Sequence, residues 1–236
     1  MKLGIIGAMD VEVTTLKEKM ENCTQRELAG SVFWEGTLSG LPAVVVQCGV
    51  GKVNAALCVQ VLADCFGITH VVNTGIAGSL TPELDIGDLV VSTQAIYHDF
   101  DCHLIDPDYP VGQVPDMDVR AFPGDGMLVD LAYQAAEAEN PGHCLKGTVA
   151  SGDQFVCQKS QKEKIVEDTG AVCTEMEGAA IAHAAWKNRI PFVVIRAISD
   201  KADDSAQMDY PTFESIAAVR CANVTLRLAE ILKHKG

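Results

Sequence analysis

The sequence predicts an α/β fold, with a central mixed β-sheet flanked by helices. Three observations carry that expectation. Short runs such as "VVVQCG" and "PFVVIRAISD" are apolar at nearly every position, the pattern of strands buried on both faces. Segments with helical apolar spacing lie between them, and the two kinds alternate along the chain. No linker-like shift in composition, internal repeat or low-complexity tract interrupts 236 residues, so residues 1–236 are expected to form one domain.

Taken in order, "KLGIIGAM" reads as a buried strand. "DVEVTTLKEKME" follows as a helix, with Val13, Leu16 and Met20 at helical spacing. "SVFWEGTLSG" and "LPAVVVQCG" are two strands joined by a turn at 39–42. "GKVNAALCVQVLADCF" is a helix with an apolar face, "THVVNTG" a strand running into "GIAGSL", and "GDLVVSTQAIYHD" another strand. From 98 to 126 periodicity fails, and Pro107, Pro110, Pro115 and Pro123 mark a long loop of the kind that tends to be functional. Beyond it lie a helix ("DGMLVDLAYQAAEAE"), a strand ("LKGTVASGD"), a helix ("SQKEKIVEDTG") and a short strand into Glu175. An alanine-rich helix, the strand "PFVVIRAISD" and a terminal helix beginning at Pro211 complete the chain.

Composition narrows the partners. A formal net charge of -14 argues against a nucleic-acid or anionic-membrane surface. No apolar run reaches the ~20 residues of a membrane span. The nine cysteines lack any C-x-x-C pair and several lie in apolar runs, which suits reduced thiols in a cytosol. None of the six histidines pair at i, i+4, so no metal site is expected. A G-x-S-x-G elbow is missing, and "GVGKVN" has neither Walker spacing nor the third glycine of a dinucleotide fingerprint.

Ligands of α/β proteins gather at the carboxyl ends of strands. Four strand ends here carry polar or glycine-rich chemistry: "GAMDVE" with Glu12, "NTGIAGSL", "SGDQFV", and "RAISD" with Ser199 and Asp200. Glu175 and Glu177 follow a fifth strand, just before the alanine-rich helix. Acids in a first helical turn commonly do no more than complement the helix dipole, so the same residues also admit a purely structural role.

Together "GIIGAMDVEV", "GVGKVNAA", "NTGIAGSL", "YHDFD", "SGDQFV", "TEMEGAAIAH" and "VVIRAISDKAD" resemble the 5′-methylthioadenosine/S-adenosylhomocysteine nucleosidases, in register over nearly the whole chain. The resemblance implies a nucleoside phosphorylase-like fold, a homodimer, no cofactor, and hydrolysis of the N-glycosidic bond to adenine. It assigns Asp200 as general acid to adenine N7, Glu12 as base for the attacking water and Glu177 as the ribose-binding glutamate, with Met176 beneath the sugar. Arg196 falls in the motif that helps order the water. Phe155 and Val156 match the adenine pocket, Ala77 and Gly78 the loop beside sugar and base, and Met9, Ser199 and Tyr210 further pocket positions. Glu175 belongs to the same motif, with backbone support as its alternative role. Ile76 stands where many relatives carry a small hydroxyl residue. The 98–115 segment is longer than in relatives, and through Ile105 and Pro115 it is expected to complete the 5′ pocket of a neighbouring subunit.

Rival readings separate on chemistry. A phosphorylase would need several cationic donors for phosphate. Of the arginines at 26, 120, 189, 196, 220 and 227, only Arg196 lies in a site motif, and Glu12 would repel a phosphate dianion. Futalosine or aminodeoxyfutalosine hydrolases share the fold and differ at the 5′ pocket. A non-catalytic nucleoside-binding protein would have no need of Glu12, Glu177 and Asp200 together.

Overall fold

The computed structural model describes residues 1–235. The chain runs β1 (Leu3–Gly7), α1 (Asp10–Lys19), β2 (Met20–Leu28), β3 (Ser31–Leu38), β4 (Leu41–Gln47), α2 (Lys52–Phe66), β5 (His70–Ser79) and β6 (Leu89–Tyr97). It continues through β7 (Phe122–Pro123), α3 (Gly126–Glu139), β8 (Cys144–Ser151), α4 (Lys159–Thr169), β9 (Cys173–Glu175), α5 (Gly178–Asn188), β10 (Phe192–Asp200) and α6 (Ala206–Lys233).

The sheet is mixed, and part of it closes on itself. β5 is long enough to have two neighbours along one edge: β1 pairs parallel with its first half and β9 antiparallel with Gly78 and Ser79. Its other edge pairs parallel with β10. β10 then pairs antiparallel with β6, β6 parallel with β8, and β8 parallel with β9. The ring β5-β10-β6-β8-β9 is therefore continuous, and β1, β4, β3 and β2 extend from it as an open flap. Every residue of β1 and β10 is buried, as their unbroken apolar runs require.

Two apolar cores cover the two faces. One joins Ile5, Val13, Leu16 and Val45 to Ala132, Cys221 and Leu228, and so holds α1, α3 and α6. The other joins Ile6, Val44 and Val194 to Val59, Leu62, Ala180 and Ile181, and so holds α2 and α5. The many alanines of α5 leave room for close packing against α2 and the sheet.

Three elements depart from the sequence reading. Residues 20–28 form β2 instead of prolonging the first helix; as an edge strand solvated along most of its length, it needs no hydrophobic alternation and shows none. Within the long loop, Phe122 and Pro123 make a two-residue pairing with Gln94 and Ala95 of β6. α6 starts at Ala206, so Pro211 lies inside the helix and does not open it. The 98–121 segment is otherwise irregular but not loose. Phe100, Val114, Met117 and Val119 pack on the second core, and Arg120 donates to the carbonyls of Val111 and Asp168.

Candidate active site

The ends of β1, β5, β9 and β10 converge on one cavity. Its lining includes Ala8, Met9 and Glu12, then Val50, Ile76, Ala77 and Gly78, then Phe155, Thr174, Glu175, Met176 and Glu177, and finally Ser199, Asp200 and Tyr210. A wider hollow of about 530 Å³ around Pro123, Asp125, Trp186 and Phe192 gathers no such set of buried acids.

Glu12 sits in the first turn of α1 and is only 4 % exposed. Its Oε2 accepts from the backbone N–H of Ala8 (2.7 Å) and Met9 (2.9 Å), and its Oε1 from that of Ile76 (3.0 Å). Gly75 makes the last contact possible, because a Cβ there would collide with Glu12 Oε1. Burial pushes the Glu12 carboxyl up, against the pull of Arg196 and the three N–H donors.

Asp200 is aimed by a bulge. The β10–β5 register shifts between Ile198 and Asp200, which brings Asp200 opposite Gly78. A Cβ on Gly78 would lie 2.7 Å from Asp200 Oδ1, so the carboxyl occupies the space a side chain would take. Ala202 N–H donates to Oδ1 (2.8 Å) and the Ser199 hydroxyl to Oδ2 (2.9 Å). Burial nevertheless raises the Asp200 pKa above the ordinary aspartate value, with Asp209 and Asp203 adding to it.

Glu175 and Glu177 stand two residues apart in different surroundings. Glu175 accepts from the N–H groups of Glu177 and Gly178, capping α5, and also from the Ser151 hydroxyl and Arg196 Nη2. Arg196 is 1 % exposed, lies behind the cavity wall and also donates to Asn73 Oδ1. Burial opposes its charge, but Glu175, Glu12 and Glu177 outweigh that and keep the guanidinium protonated. Glu177 has one protein donor, Gly51 N–H at 2.7 Å to Oε1. Burial first, and then the neighbouring Glu175, push the Glu177 carboxyl up to about 8.

The apolar wall links three elements. Phe155 packs edge-on against Tyr210 with centroids 5.5 Å apart, and the Tyr210 hydroxyl donates to Met9 Sδ at 3.2 Å. Val156 lies outside the lining, buried with Leu80, Ile96 and Ala150. Ile105 and Pro115 also lie outside it, and Ile105 is 82 % exposed. Residue-by-residue reading missed Ala8, Val50 and Thr174. Val50 belongs to the "GVGK" run, whereas nothing local marks Thr174, whose buried hydroxyl has no protein partner. Among the described residues no cluster of His, Cys, Asp or Glu is arranged to hold a metal ion, and no helix is long and apolar enough to cross a membrane.

The chain matches known proteins over almost all of its length. Residues 2–230 fit the phosphorylase superfamily. A 5′-methylthioadenosine/S-adenosylhomocysteine nucleosidase of Halalkalibacterium halodurans is 40 % identical over 229 residues, 96 % of this chain and 97 % of that one. The crystal structure of the Neisseria meningitidis nucleosidase of the same name, in complex with methylthio-immucillin-A, superposes with a TM-score of 0.93 at 35 % identity, covering 98 % of this chain and 99 % of that one. A futalosine hydrolase of Helicobacter pylori superposes with a TM-score of 0.92 at 33 % identity, over 98 % of this chain and 97 % of that one. The chain is thus an enzyme of the 5′-methylthioadenosine/S-adenosylhomocysteine nucleosidase family, within the phosphorylase superfamily.

Proposed function

We propose that this enzyme hydrolyses the N-glycosidic bond of 5′-methylthioadenosine and S-adenosylhomocysteine, releasing adenine and the 5-thioribose product. The observation that carries the proposal is the convergence of Glu12, Glu177 and Asp200 on one cavity, each buried and each with its pKa raised. Asp200, whose burial shifts it toward the protonated form, delivers a proton to adenine N7 as the base departs. Glu177 grips the ribose hydroxyls and faces the positive charge that develops on the sugar. Glu12 takes a proton from the attacking water. Arg196 acts from behind the wall as a positioning residue, anchoring Glu175 and favouring the charged form of Glu12.

Water is favoured over phosphate as nucleophile by the charge of the site. No Lys or Arg is among the cavity-lining residues, and the nearby Arg196 is already engaged by Glu175 and Asn73. Phe155, Met176, Met9 and Tyr210 supply apolar and aromatic surface for base and sugar, with Ile76, Ala77, Gly78 and Ser199 beside them.

We assign the working unit as a homodimer of one-domain subunits. Leu104 and Ile105 at the loop tip are 90 % and 82 % exposed, and Val53, Leu57, Ala184 and His183 line an open groove between α2 and α5. Ile105 and Pro115 then reach the neighbour's 5′ pocket. The nine free thiols fit a cytosolic enzyme. Futalosine or aminodeoxyfutalosine hydrolysis is the second reading, favoured by the similarity to the Helicobacter pylori futalosine hydrolase. Adenine release from a panel of 5′-substituted adenosines, with and without phosphate, tests both. Phosphate-dependent turnover with a sugar phosphate product would overturn hydrolysis. Preference for a futalosine-type 5′ group would select the second reading.

A further inference from the structure

Three sequence motifs, "GVGK", "YHDFD" and "SGD", have no part in the chemistry above, yet the fold ties them together beside Glu177. Lys52 Nζ contacts both oxygens of Asp99, at 2.8 and 2.6 Å, and lies 3.7 Å from Asp153 Oδ2. Asp99 Oδ2 also accepts from the Asp153 N–H (2.9 Å), and Asp153 Oδ1 from the Lys52 N–H (2.9 Å). Lys52 Nζ stands 5.5 Å from the centre of the Tyr97 ring, and the Lys52 and Asp99 side chains are largely covered. Gly51, the residue before Lys52, has φ +98°, and a Cβ there would come within 3.1 Å of Asp153 Oδ1. Its N–H is the one protein donor to Glu177.

We propose that Lys52, Asp99 and Asp153 form a positioning clamp that holds the Gly51 N–H on Glu177 and so orients the ribose-binding carboxylate. The inference rests on the role given to Glu177 above. A loop carrying two glycines on either side of Val50 would not by itself hold one N–H on one oxygen. The Lys52–Asp99 ion pair and the Lys52 N–H bond to Asp153 remove that freedom, and the Asp153 N–H bond to Asp99 ties the two aspartates to each other. The other charged or titratable groups acting on Glu177 are Glu175 from β9, Glu12 from α1 and Arg196 from β10. Cys48 lies at the end of β4, and His98 borders Asp99.

The test separates a clamp from a bare electric field. Lys52→Met removes a positive charge, and Asp99→Ala and Asp153→Ala each remove a negative one. A field alone moves the Glu177 titration up in the first variant and down in the other two. A clamp loses the N–H donor in all three, so the midpoint rises in each, by roughly one unit. Carbon NMR of glutamate carboxyls reads that midpoint without needing turnover, and adenine release reads kcat/KM beside it. We expect kcat/KM to fall about tenfold in each variant, as for loss of one hydrogen bond to a charged group, with Lys52→Arg restoring most of it. Should Asp99→Ala fail to fold, the half-exposed Asp153 supplies the same comparison. Opposite shifts for the lysine and aspartate variants, or no shift in any, overturn the clamp. An unaltered protein that releases no adenine overturns the functional reading instead, while the NMR midpoints still decide the clamp.

Discussion

Glu175 and Glu177 share a strand end, a helix start and near-complete burial, yet they live in opposite electrostatic settings. Glu175 receives two backbone N–H groups, a hydroxyl and a guanidinium, whereas Glu177 receives a single N–H from Gly51. A buried charge with partners on every side stabilises the site's architecture. One left short of partners has its protonation and its interactions still open to a ligand. Glu12 and Asp200 fall between these limits, with two or three donors each and pKa values still raised by burial. Degree of satisfaction, more than burial, separates Glu175 from the three carboxylates for which catalytic roles are proposed.

The sharpest break in that comparison should come at Asp200. Asp200→Asn keeps the shape and removes the acid, so turnover of nucleosides with poor leaving groups should fall by ~10²–10⁴-fold. A substrate whose leaving group needs no proton should be partly spared. Equal losses on the two substrates would remove Asp200 from the role of acid. Next, Glu175→Gln should lower thermal stability strongly, by about 3–5 kcal/mol, because it strands the buried Arg196 charge. Denaturant melts of Glu175→Gln and Glu177→Gln should diverge, the first losing stability and the second losing turnover. Matching melts would erase the distinction drawn above.

A subtler effect concerns pH. The folded-state pKa of Glu177, near 8, lies above that of an unfolded glutamate, so its protonated form favours the fold. That contribution is fully present below about pH 4.5 and is lost as pH rises through about 8. Between pH 5 and 9 the unaltered protein should therefore lose about 2–5 kcal/mol relative to Glu177→Gln. A pH-independent difference between the two melts would show that Glu177 titrates normally. The smallest change is expected at the loop tip. Ile105→Ala should alter selectivity among 5′ substituents several-fold, at ~25 cal/mol per Å² of apolar surface returned to water, while adenine affinity stays constant. An untouched substrate profile would take Ile105 out of the neighbour's pocket.

Much of the frame was legible because it follows from local period. The buried runs at β1, β4 and β10 became strands, and the apolar spacing of α2, α3 and α5 became helices. β2 escaped because an exposed edge strand owes nothing to a hydrophobic face. The start of α6 escaped because Pro211 looks like a helix opening when read locally, whereas the chain carries it within the first turns. The acids marked at strand ends, Glu12, Glu177 and Asp200, all line one cavity.

By itself the sequence determined which segments alternate as strand and helix, and which strand ends carry carboxylates; both depend on residues close together in the chain. Only the tertiary structure decided how those carboxylates differ. Glu175 and Glu177 have nearly the same neighbours in sequence, but Ser151 and Arg196 reach Glu175 from β8 and β10, and Gly51 reaches Glu177 across 126 positions. The closed ring of strands brings Asp200 and Gly78 face to face, and a bulge aims the carboxyl. Partners that distant leave no mark on local pattern, and in a buried site the partners set the charge.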